Sequence, residues 1–282
     1  MCDQPGRKLS RLTTFSIDFK YWSRFEQIWL IAFLLIIVSA TIYFSLTGTD
    51  YSNTESTLLN WVVSPLSAIS GIFCVVLAAK GKISNWTYGI VNSILYGYLA
   101  YRSGYYGDAI INIAYVLPTQ FVGVLFWKTR LKNQSKADVK MRRLTVKQTV
   151  CVMIASLVFA AGLGLCLHFI DHWFITVMKR NISIYGYFGK VLGAKSAIVG
   201  AFLDSSTEVT QILAQLFMVL AFAEQWIFWM ITNVITIIMW AVVMIADPSS
   251  VSWALPTLIM WVAYLVNSVY GWRIWKRGTD HE

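Results

Sequence analysis

Uncharged hydrogen-bonding side chains and aromatic rings recur at helical spacing inside one long apolar stretch, residues 226–246. Trp229, Asn233, Thr236 and Trp240 follow at intervals of four, three and four residues, which places them on one side of a helix. The stretch has no charge and, at about 20 residues, is long enough to cross about 30 Å of hydrocarbon. An asparagine amide facing lipid would have unpaired donors and an unpaired acceptor. This side is therefore expected to face other helices, water or a ligand.

Amide and phenol side chains form comparable stripes in other apolar stretches. The neutral members are Asn92, Tyr96, Asn112, Thr119, Gln120, Tyr264 and Asn267. A further stripe has its acids toward one end and consists of Asp204, Glu208, Gln211 and Gln215. These residues predict a site that recognises its ligand by neutral hydrogen bonds and aromatic faces. The alternative for each amide is a bond between two helices. The two acids are expected to be solvated, with an outer gate as the alternative role of Asp204.

Other chemistries lack the residues that they need. No apolar stretch pairs a nucleophile with a base, as a membrane enzyme would, and no lysine lies at mid-depth to form the Schiff base of a rhodopsin. His168 and His172 have metal-ligand spacing but no further ligand beside them, and no Cys-x-x-Cys occurs. We therefore expect no enzymatic activity, no metal and no cofactor. The net charge of +9 is spread over short loops, so a nucleic-acid partner is not expected.

The composition indicates an all-α polytopic membrane protein that spans the lipid bilayer. Of 282 residues, 57% are hydrophobic and 13% are charged, and the mean hydropathy is +0.59. Eight transmembrane helices are predicted, at residues 28–46, 59–79, 86–101, 108–127, 146–169, 197–222, 226–246 and 251–272. Outside them lie a basic, aromatic surface segment, an external connection that is expected to hold a short helix, and a tail, at 1–27, 170–196 and 273–282. The first helix has no polar stripe and is expected at the edge, facing lipid.

The distribution of basic residues predicts the orientation of the chain. Lysine and arginine are concentrated in the segments on the same side as both termini, which predicts a cytoplasmic N-terminus and a cytoplasmic C-terminus. Tryptophans at the ends of spans are expected in the interfacial aromatic belt. They are Trp86, Trp127, Trp226 and Trp275.

Two parts of the sequence resemble each other. Trp86 precedes Asn92 by about two helical turns, and Trp226 precedes Asn233 in the same way. The later helices of each part end in a glycine four residues before a tryptophan, Gly123 and Trp127 in one, Gly271 and Trp275 in the other. The pattern predicts two three-helix repeats, 59–127 and 197–272, joined by the linker helix 146–169. One intervening helix makes the repeats parallel, with a site expected between them near mid-membrane.

Over residues 59–277 the chain resembles the PnuC family of bacterial nicotinamide riboside transporters, relatives of the SWEET sugar transporters. The matching motifs are Lys82-Ile-Ser-Asn-Trp86 with Gly89 and Asn92, Gly123 with Trp127, Phe202-Leu-Asp204-Ser, Trp226 with Trp229 and Asn233, and Asn267 to Trp275. The resemblance implies a homotrimer in the bacterial inner membrane and facilitated diffusion of nicotinamide riboside, which a cytoplasmic kinase then traps by phosphorylation. Family members commonly have seven spans, so helix 28–46 looks like an additional N-terminal helix.

The resemblance also implies roles for individual residues. Trp229 and Tyr264 would contact the pyridinium ring, and the hydrogen-bond partners would be Asn92, Gln120, Asn233 and Asn267. Residues expected in gating or helix packing are Tyr96, Asp204, Gly89, Gly123 and Gly271. Alternative substrates are another vitamin or nucleoside-like solute, such as thiamine or riboflavin, or a sugar.

Overall fold

Helices account for the regular structure of the protein. The computed structural model describes residues 22–48, 53–103, 105–132, 141–179, 185–193 and 196–280. Within these residues the only strand-like pairing is an isolated bridge between Arg142 and Phe222. Most of the predicted surface segment 1–27 lies outside the described residues. The prediction of an all-α protein is confirmed for the part of the chain that the structure describes.

Nine helices follow one another in the described residues, and they are numbered α1 to α9 here. Their bounds are Arg24–Gly48 (α1), Thr54–Ala79 (α2), Asn85–Arg102 (α3), the three consecutive segments Tyr106–Ile111, Asn112–Val116 and Leu117–Lys132 (α4), Val146–Thr176 (α5), Gly186–Leu192 (α6), Ala197–Val219 (α7), Gln225–Ala246 (α8) and Val251–Asp280 (α9). The short α6 lies in the predicted external connection 170–196.

Six of the helices in the described residues are long and apolar enough to cross a membrane, namely α1, α2, α4, α5, α8 and α9. The chain is therefore a polytopic membrane protein. The other two long helices, α3 and α7, correspond to the predicted spans 86–101 and 197–222 and are more polar. α7 buries a row of polar side chains that includes Asp204, Glu208 and Gln211. Such side chains are compatible with a membrane only where they face protein or water.

Two of the helices contain a wider, π-helical turn close to a proline. This turn is Leu59–Val63 in α2, ahead of Pro65, and Asn112–Val116 in α4, ahead of Pro118. Proline has no backbone N–H and crowds the carbonyl of the preceding turn, so the regular hydrogen-bond ladder cannot continue through it. A π-helical turn accommodates this break. In α4 the wider turn ends one helical turn before Gln120 and so helps to determine which way Gln120 faces.

Six helices pack in a ring. α2 packs on α3 and α3 on α4, and in the same way α7 packs on α8 and α8 on α9. The two halves meet along two seams, one between α4 and α7 and one between α9 and α2. α1 packs outside the ring on α9 and α2, and α5 packs outside on α7. The outward side of α1 is apolar and exposes Ile28, Ile31, Leu35, Ile42 and Leu46, as expected of a helix at the edge.

One end of the ring is filled by four tryptophans, and we call it the tryptophan end. Trp86, Trp127 and Trp275 are completely buried, and Trp226 is 2% exposed. The rings of Trp86 and Trp127 meet edge to face with centroids 5.0 Å apart, and those of Trp226 and Trp275 meet at 6.0 Å. The prediction that these residues form an interfacial belt was wrong, since a belt residue has to be exposed at the surface of the bundle.

Glycines on the facing helices leave room for two of these rings. The ring of Trp86 lies against Gly123, and the ring of Trp226 lies against Gly271. A Cβ at either glycine would collide with the ring. The helix packing that was predicted for these glycines thus takes the form of a tryptophan side chain lying against the backbone of a neighbouring helix.

The other two tryptophans bridge the seams. The indole N–H of Trp127 donates to the carbonyl of Met218 at 3.2 Å, which joins α4 to α7. The indole N–H of Trp275 donates to the carbonyl of Ala79 at 2.9 Å, which joins α9 to α2. Both carbonyls lie at the ends of helices, where the regular helical hydrogen bonds stop. The carbonyl of Met218 also accepts from the backbone N–H of Ala221 at 3.1 Å, so the indole of Trp127 is its second donor.

Replacing either glycine by alanine is expected to destabilise the protein, because the added methyl group overpacks a tryptophan. The expected loss is about 1–3 kcal/mol for Gly123→Ala or Gly271→Ala. Thermal unfolding of the purified protein in detergent measures it. Gly162→Ala is the matched control, since no atom lies near a Cβ added there in α5. Equal melting temperatures for all three variants would contradict the packing described here.

Candidate functional site

A cavity lies inside the ring, near the tryptophan end, and all six helices of the ring contribute to its wall. The lining residues are Cys74, Val75, Ala78, Gly89, Asn92, Ser93, Val116, Gln120, Gln215, Met218, Trp226, Trp229, Asn233, Tyr264 and Ser268. Its volume is about 60 Å³. A cavity that holds benzene measures about 150 Å³. In this arrangement the cavity therefore accommodates water molecules and no larger solute.

The structure brings together five of the six side chains that were predicted to bind the ligand. Asn92, Gln120, Trp229, Asn233 and Tyr264 all line the cavity, and so does Gly89, over which the Gln120 amide lies. They come from four helices of both halves. The stripes seen in the sequence thus converge on one space.

A tyrosine and an asparagine join the two halves across the cavity. The hydroxyl of Tyr264 on α9 donates to Oδ1 of Asn92 on α3, at 3.3 Å. Nδ2 of Asn92 donates in turn to the carbonyl of Ser67 on α2, at 2.9 Å. Gly71 leaves space for this pair, because a Cβ there would collide with the tyrosine hydroxyl. A larger solute cannot occupy the cavity unless these side chains move.

Ser268 fixes the orientation of a second asparagine. Nδ2 of Asn233 donates to the Ser268 hydroxyl at 2.9 Å, and that hydroxyl donates to the carbonyl of Tyr264 at 2.8 Å. The Asn233 side chain is 1% exposed, and its Oδ1 has no hydrogen-bond partner among the described residues. The bond to Ser268 therefore leaves the carbonyl oxygen of Asn233 as an acceptor at the wall of the cavity.

Two more polar atoms at the cavity wall have no partner within the described part of the chain. They are Oε1 of Gln120 and the indole N–H of Trp226. A buried polar group without a hydrogen bond costs about 1–3 kcal/mol. The cavity thus offers two acceptors, counting Asn233, and one donor to a water molecule or a ligand.

Formal charge is absent from the lining, since none of the described residues around the cavity is an acid, a lysine or an arginine. The polar groups are amides, hydroxyls, one thiol and the indole N–H groups of two tryptophans. The apolar groups include the aromatic rings of Trp229 and Tyr264, whose faces attract cations. The site can recognise a solute that carries hydrogen-bond donors, and it has no group to balance a negative charge.

Asn267 is the predicted ligand contact that lies apart from the cavity lining. Its Nδ2 donates to the carbonyl of Val75 at 2.8 Å, so that it joins α9 to α2. The other seam has a comparable bond, because Nε2 of Gln215 on α7 donates to the hydroxyl of Thr119 on α4 at 3.0 Å. In the described structure Asn267 therefore has the alternative role of an amide that joins two helices.

The acids on α7 are buried, so the expectation that they are solvated was wrong. Asp204 is 0% exposed and Glu208 is 4% exposed. Oδ2 of Asp204 accepts a hydrogen bond from the hydroxyl of Tyr185 at 3.0 Å. Both carboxylates lie against Gly107 of α4, which has no side chain to exclude them. Their burial depends on the α4–α7 contact, which the spacing along α7 does not contain.

Tyr96, predicted in gating or helix packing, connects another buried acid, Asp108 of α4, to the cavity through ring contacts. Its hydroxyl donates to the carboxylate of Asp108 and accepts from the indole N–H of Trp240 at 3.3 Å. Its ring is 5.3 Å from that of Trp261, which in turn is 5.2 Å from Tyr264 of the cavity. Tyr96 is thus part of the aromatic packing on the side of the cavity away from the tryptophan end.

Sequence reasoning did not assign several lining residues. Ser268 directly follows Asn267, and the structure shows that the later of the two side chains faces the cavity. Gln215 belonged to a stripe that had been noticed, whereas Cys74, Val75 and Ala78 are small residues without a polar signal. Trp226 was assigned to the surface. Helical spacing identifies a stripe but not which edge of it faces the interior.

Comparisons with known proteins find similar membrane transporters. The model of the family described as "Nicotinamide mononucleotide transporter" matches residues 60–277. The nicotinamide riboside transporter PnuC of Neisseria mucosa is 32% identical over 259 residues, which cover 91% of this chain and 82% of that protein. PnuC of Haemophilus influenzae is 28% identical over 257 residues, 91% of each chain.

A solved structure is also similar to this chain. The crystal structure of the vitamin B3 transporter PnuC aligns with a TM-score of 0.69 at 30% identity and covers 96% of this chain and 99% of that one. The match extends over the ring of six helices and the helices outside it. The chain belongs to the PnuC family of transporters.

Proposed function

We propose that this protein carries nicotinamide riboside across the membrane by facilitated diffusion. The observation that carries the proposal is an uncharged cavity at the centre of six helices, with unpaired amide oxygens at its wall. The names of the relatives from Neisseria mucosa and Haemophilus influenzae support the choice of solute.

The groups of nicotinamide riboside match those of the cavity. Its pyridinium ring is a cation that aromatic faces attract by about 0.5–2 kcal/mol, and Trp229 and Tyr264 supply such faces. Its carboxamide and ribose hydroxyls are donors for Oε1 of Gln120 and Oδ1 of Asn233. Asn92 supplies a third amide once Tyr264 releases it. Binding would thus satisfy acceptors that are unpaired in the closed cavity.

The absence of positive charge favours the riboside over the mononucleotide. The two differ by a phosphate, and a phosphate that leaves water needs arginine, lysine or several backbone donors. No lysine or arginine lies among the described residues that line the cavity. The mononucleotide in the name of the family is therefore the poorer match to this site.

The two halves of the ring support the proposal of two parallel three-helix repeats, α2–α4 and α7–α9, with α5 as the linker. Trp86 and Trp226 are separated by the same number of residues as Gly81 and Ala221. Gly81 and Ala221 both have a positive φ, 66° and 59°. At that distance Asn233 corresponds to Ser93 and not to Asn92. The two asparagines would then be neighbours in one cavity and not partners in the repeat.

The remaining features of the proposal come from the family resemblance. They are kinship with the SWEET transporters, assembly as a homotrimer, a bacterial inner-membrane location, and trapping of the product by a cytoplasmic kinase. The concentration of basic residues in the loops on the side of both termini supports a cytoplasmic location for the two termini. The tryptophan end would then be the cytoplasmic end, because the loops after α2 and α7 lie there.

Purified protein in liposomes is expected to take up labelled nicotinamide riboside without an ion gradient. Excess unlabelled riboside should abolish the uptake, whereas nicotinamide mononucleotide, thiamine, riboflavin and glucose should reduce it by less than about twofold. A phosphate without a partner weakens binding by more than the 1.4 kcal/mol that corresponds to a factor of ten. Competition by thiamine or riboflavin at equal concentration would instead favour those solutes.

Substitutions of Asn233 and Asn267 make a matched pair that tests whether the cavity binds the riboside. Asn233→Leu should abolish riboside binding and leave folding intact, because its carbonyl oxygen faces the cavity. Asn267→Leu should retain the affinity and lower the melting temperature, because it removes the side-chain hydrogen bond that joins α9 to α2, which contributes about 0.5–1.5 kcal/mol. Isothermal titration and thermal unfolding measure the two effects. The reverse pattern would show that Asn267 and not Asn233 binds the solute.

Cys74 gives a test that needs no substitution in the proposed binding set. Its thiol lines the cavity, whereas Cys151 and Cys166 are exposed on the outside of α5. Nicotinamide riboside should slow alkylation of Cys74 and leave alkylation of the other two unchanged. Mass spectrometry after timed labelling reads each site separately. Equal rates with and without saturating riboside would place the binding site elsewhere.

A further inference from the structure

A buried glutamate at the start of α1 connects three separate parts of the chain. Glu26 is 4% exposed, and its Oε2 accepts a hydrogen bond from Nζ of Lys80 at 2.8 Å. Its Oε1 accepts from the hydroxyl of Tyr270 on α9 at 3.0 Å. The backbone N–H of Ser23 also donates to this carboxylate, at 2.6 Å. Both oxygens of the carboxylate are therefore occupied.

Lys80 belongs to the loop that closes the tryptophan end. Residues 80–84 join α2 to α3, directly before Trp86. The carbonyl of Ala79, next to Lys80, accepts the hydrogen bond from Trp275. Glu26 on α1, outside the helix ring, and Trp275, inside it, thus bond to adjacent residues of the same turn.

The corresponding loop in the other half is also held from outside. The backbone N–H of Arg142 donates to the carbonyl of Ala221, and that of Ala223 donates to the carbonyl of Arg142, both at 2.8 Å. The N–H of Leu144 donates to Oε2 of Glu224, a residue with 2% exposure, at 3.1 Å. These bonds connect the loop between α7 and α8 to the segment that enters α5. Each loop at the tryptophan end is therefore hydrogen-bonded to the chain at the start of a helix outside the ring or just before it.

From these contacts we infer that α1 is a latch on the tryptophan end. Glu26 holds the loop at Lys80 to Tyr270 of α9 while the cavity is closed, and at least one of these two bonds must break when this end opens. The inference rests on the proposed transport through the cavity, because only a transporter has to open there. It assigns to α1 a function beyond that of an additional helix at the edge.

The position of the bonds at a seam is the reason for this conclusion. Lys80 follows α2 of one half, and Tyr270 lies on α9 of the other half, so Glu26 bridges the α9–α2 seam at its end. A movement that separates α2 from α9 there pulls Lys80 and Tyr270 apart. A carboxylate that bonded only to α2 or only to α9 would move with that helix and would not oppose the separation of the two helices.

The test uses Cys74 as a reporter of opening. In protein whose other cysteines, Cys2, Cys151 and Cys166, are replaced by serine, a cationic methanethiosulfonate reagent reacts faster with Cys74 when the cavity opens, because the residue is only partly exposed in this structure. The experiment compares the modification rates of the parent and of Glu26→Gln in lipid nanodiscs, with no substrate present. We expect the Glu26→Gln protein to react roughly tenfold faster, which corresponds to about 1.4 kcal/mol.

The chain contains a matched control at the opposite end of α2. Glu55 accepts from the hydroxyl of Tyr98 at 3.0 Å and lies 3.2 Å from Nε of Arg102, so it has the same three kinds of group. All three residues belong to α2 and α3 of one half, and the pair is exposed. Glu55→Gln should therefore leave the modification rate of Cys74 unchanged. A tenfold increase in this variant as well would overturn the inference.

A second variant covers the case in which Glu26→Gln does not fold. Tyr270→Phe keeps the ring contact with Phe25, whose centroid is 4.9 Å away, and removes the hydroxyl that bonds to Glu26 and to Ser23 at the start of α1. It should accelerate the modification of Cys74 by less than Glu26→Gln does. A parental rate in Tyr270→Phe, or in a folded Glu26→Gln, would show that α1 does not hold this end closed. Because no solute takes part, that result would leave the proposed substrate untouched.

Discussion

A polar side chain inside a membrane has to find its partner within the protein or in enclosed water, and this constraint shapes the whole ring. At the seams the requirement is met directly, by Gln215 with Thr119 and by Asn267 with the carbonyl of Val75. At the centre it is met only in part. Gln120 and Asn233 retain unpaired oxygens there. In the candidate site, these unpaired oxygens are available to accept hydrogen bonds from a solute.

The closed cavity is bounded by two regions of different chemistry. At the tryptophan end, aromatic side chains fill the space between the helices, and indole N–H groups donate to carbonyls at helix ends. On the other side, tyrosines and tryptophans lead to the buried acids Asp108 and Asp204. Alternating access requires one region to loosen while the other stays packed. Glycines recur in both regions, at positions such as Gly107 and Gly271, where a bulky group meets a backbone.

The two long helices outside the ring, α1 and α5, have two features in common. α1 and α5 each turn an apolar side outward, which suits lipid. Each is hydrogen-bonded near its start to a loop at the tryptophan end, α1 through Glu26 in its first turn and α5 through the backbone of Arg142 ahead of it. The peripheral helices therefore restrain the ring at the end where its tryptophans meet. A change in either helix can influence opening without touching the cavity.

The sequence alone determined the all-α class, the stripes of amides and aromatic rings, and through them five cavity residues, among them Asn233 and Tyr264. It could do so because helical period and the exclusion of polar groups from lipid are local properties of a segment. Only the tertiary structure decided that Asn267 pairs at a seam, that Trp86 and its three counterparts lie inside, and that Asp204 is buried. Each of these outcomes depends on the helix opposite: a carbonyl within reach, or a glycine that leaves space. The sequence of a single helix does not specify which residues of other helices face it, so these contacts are determined by tertiary packing.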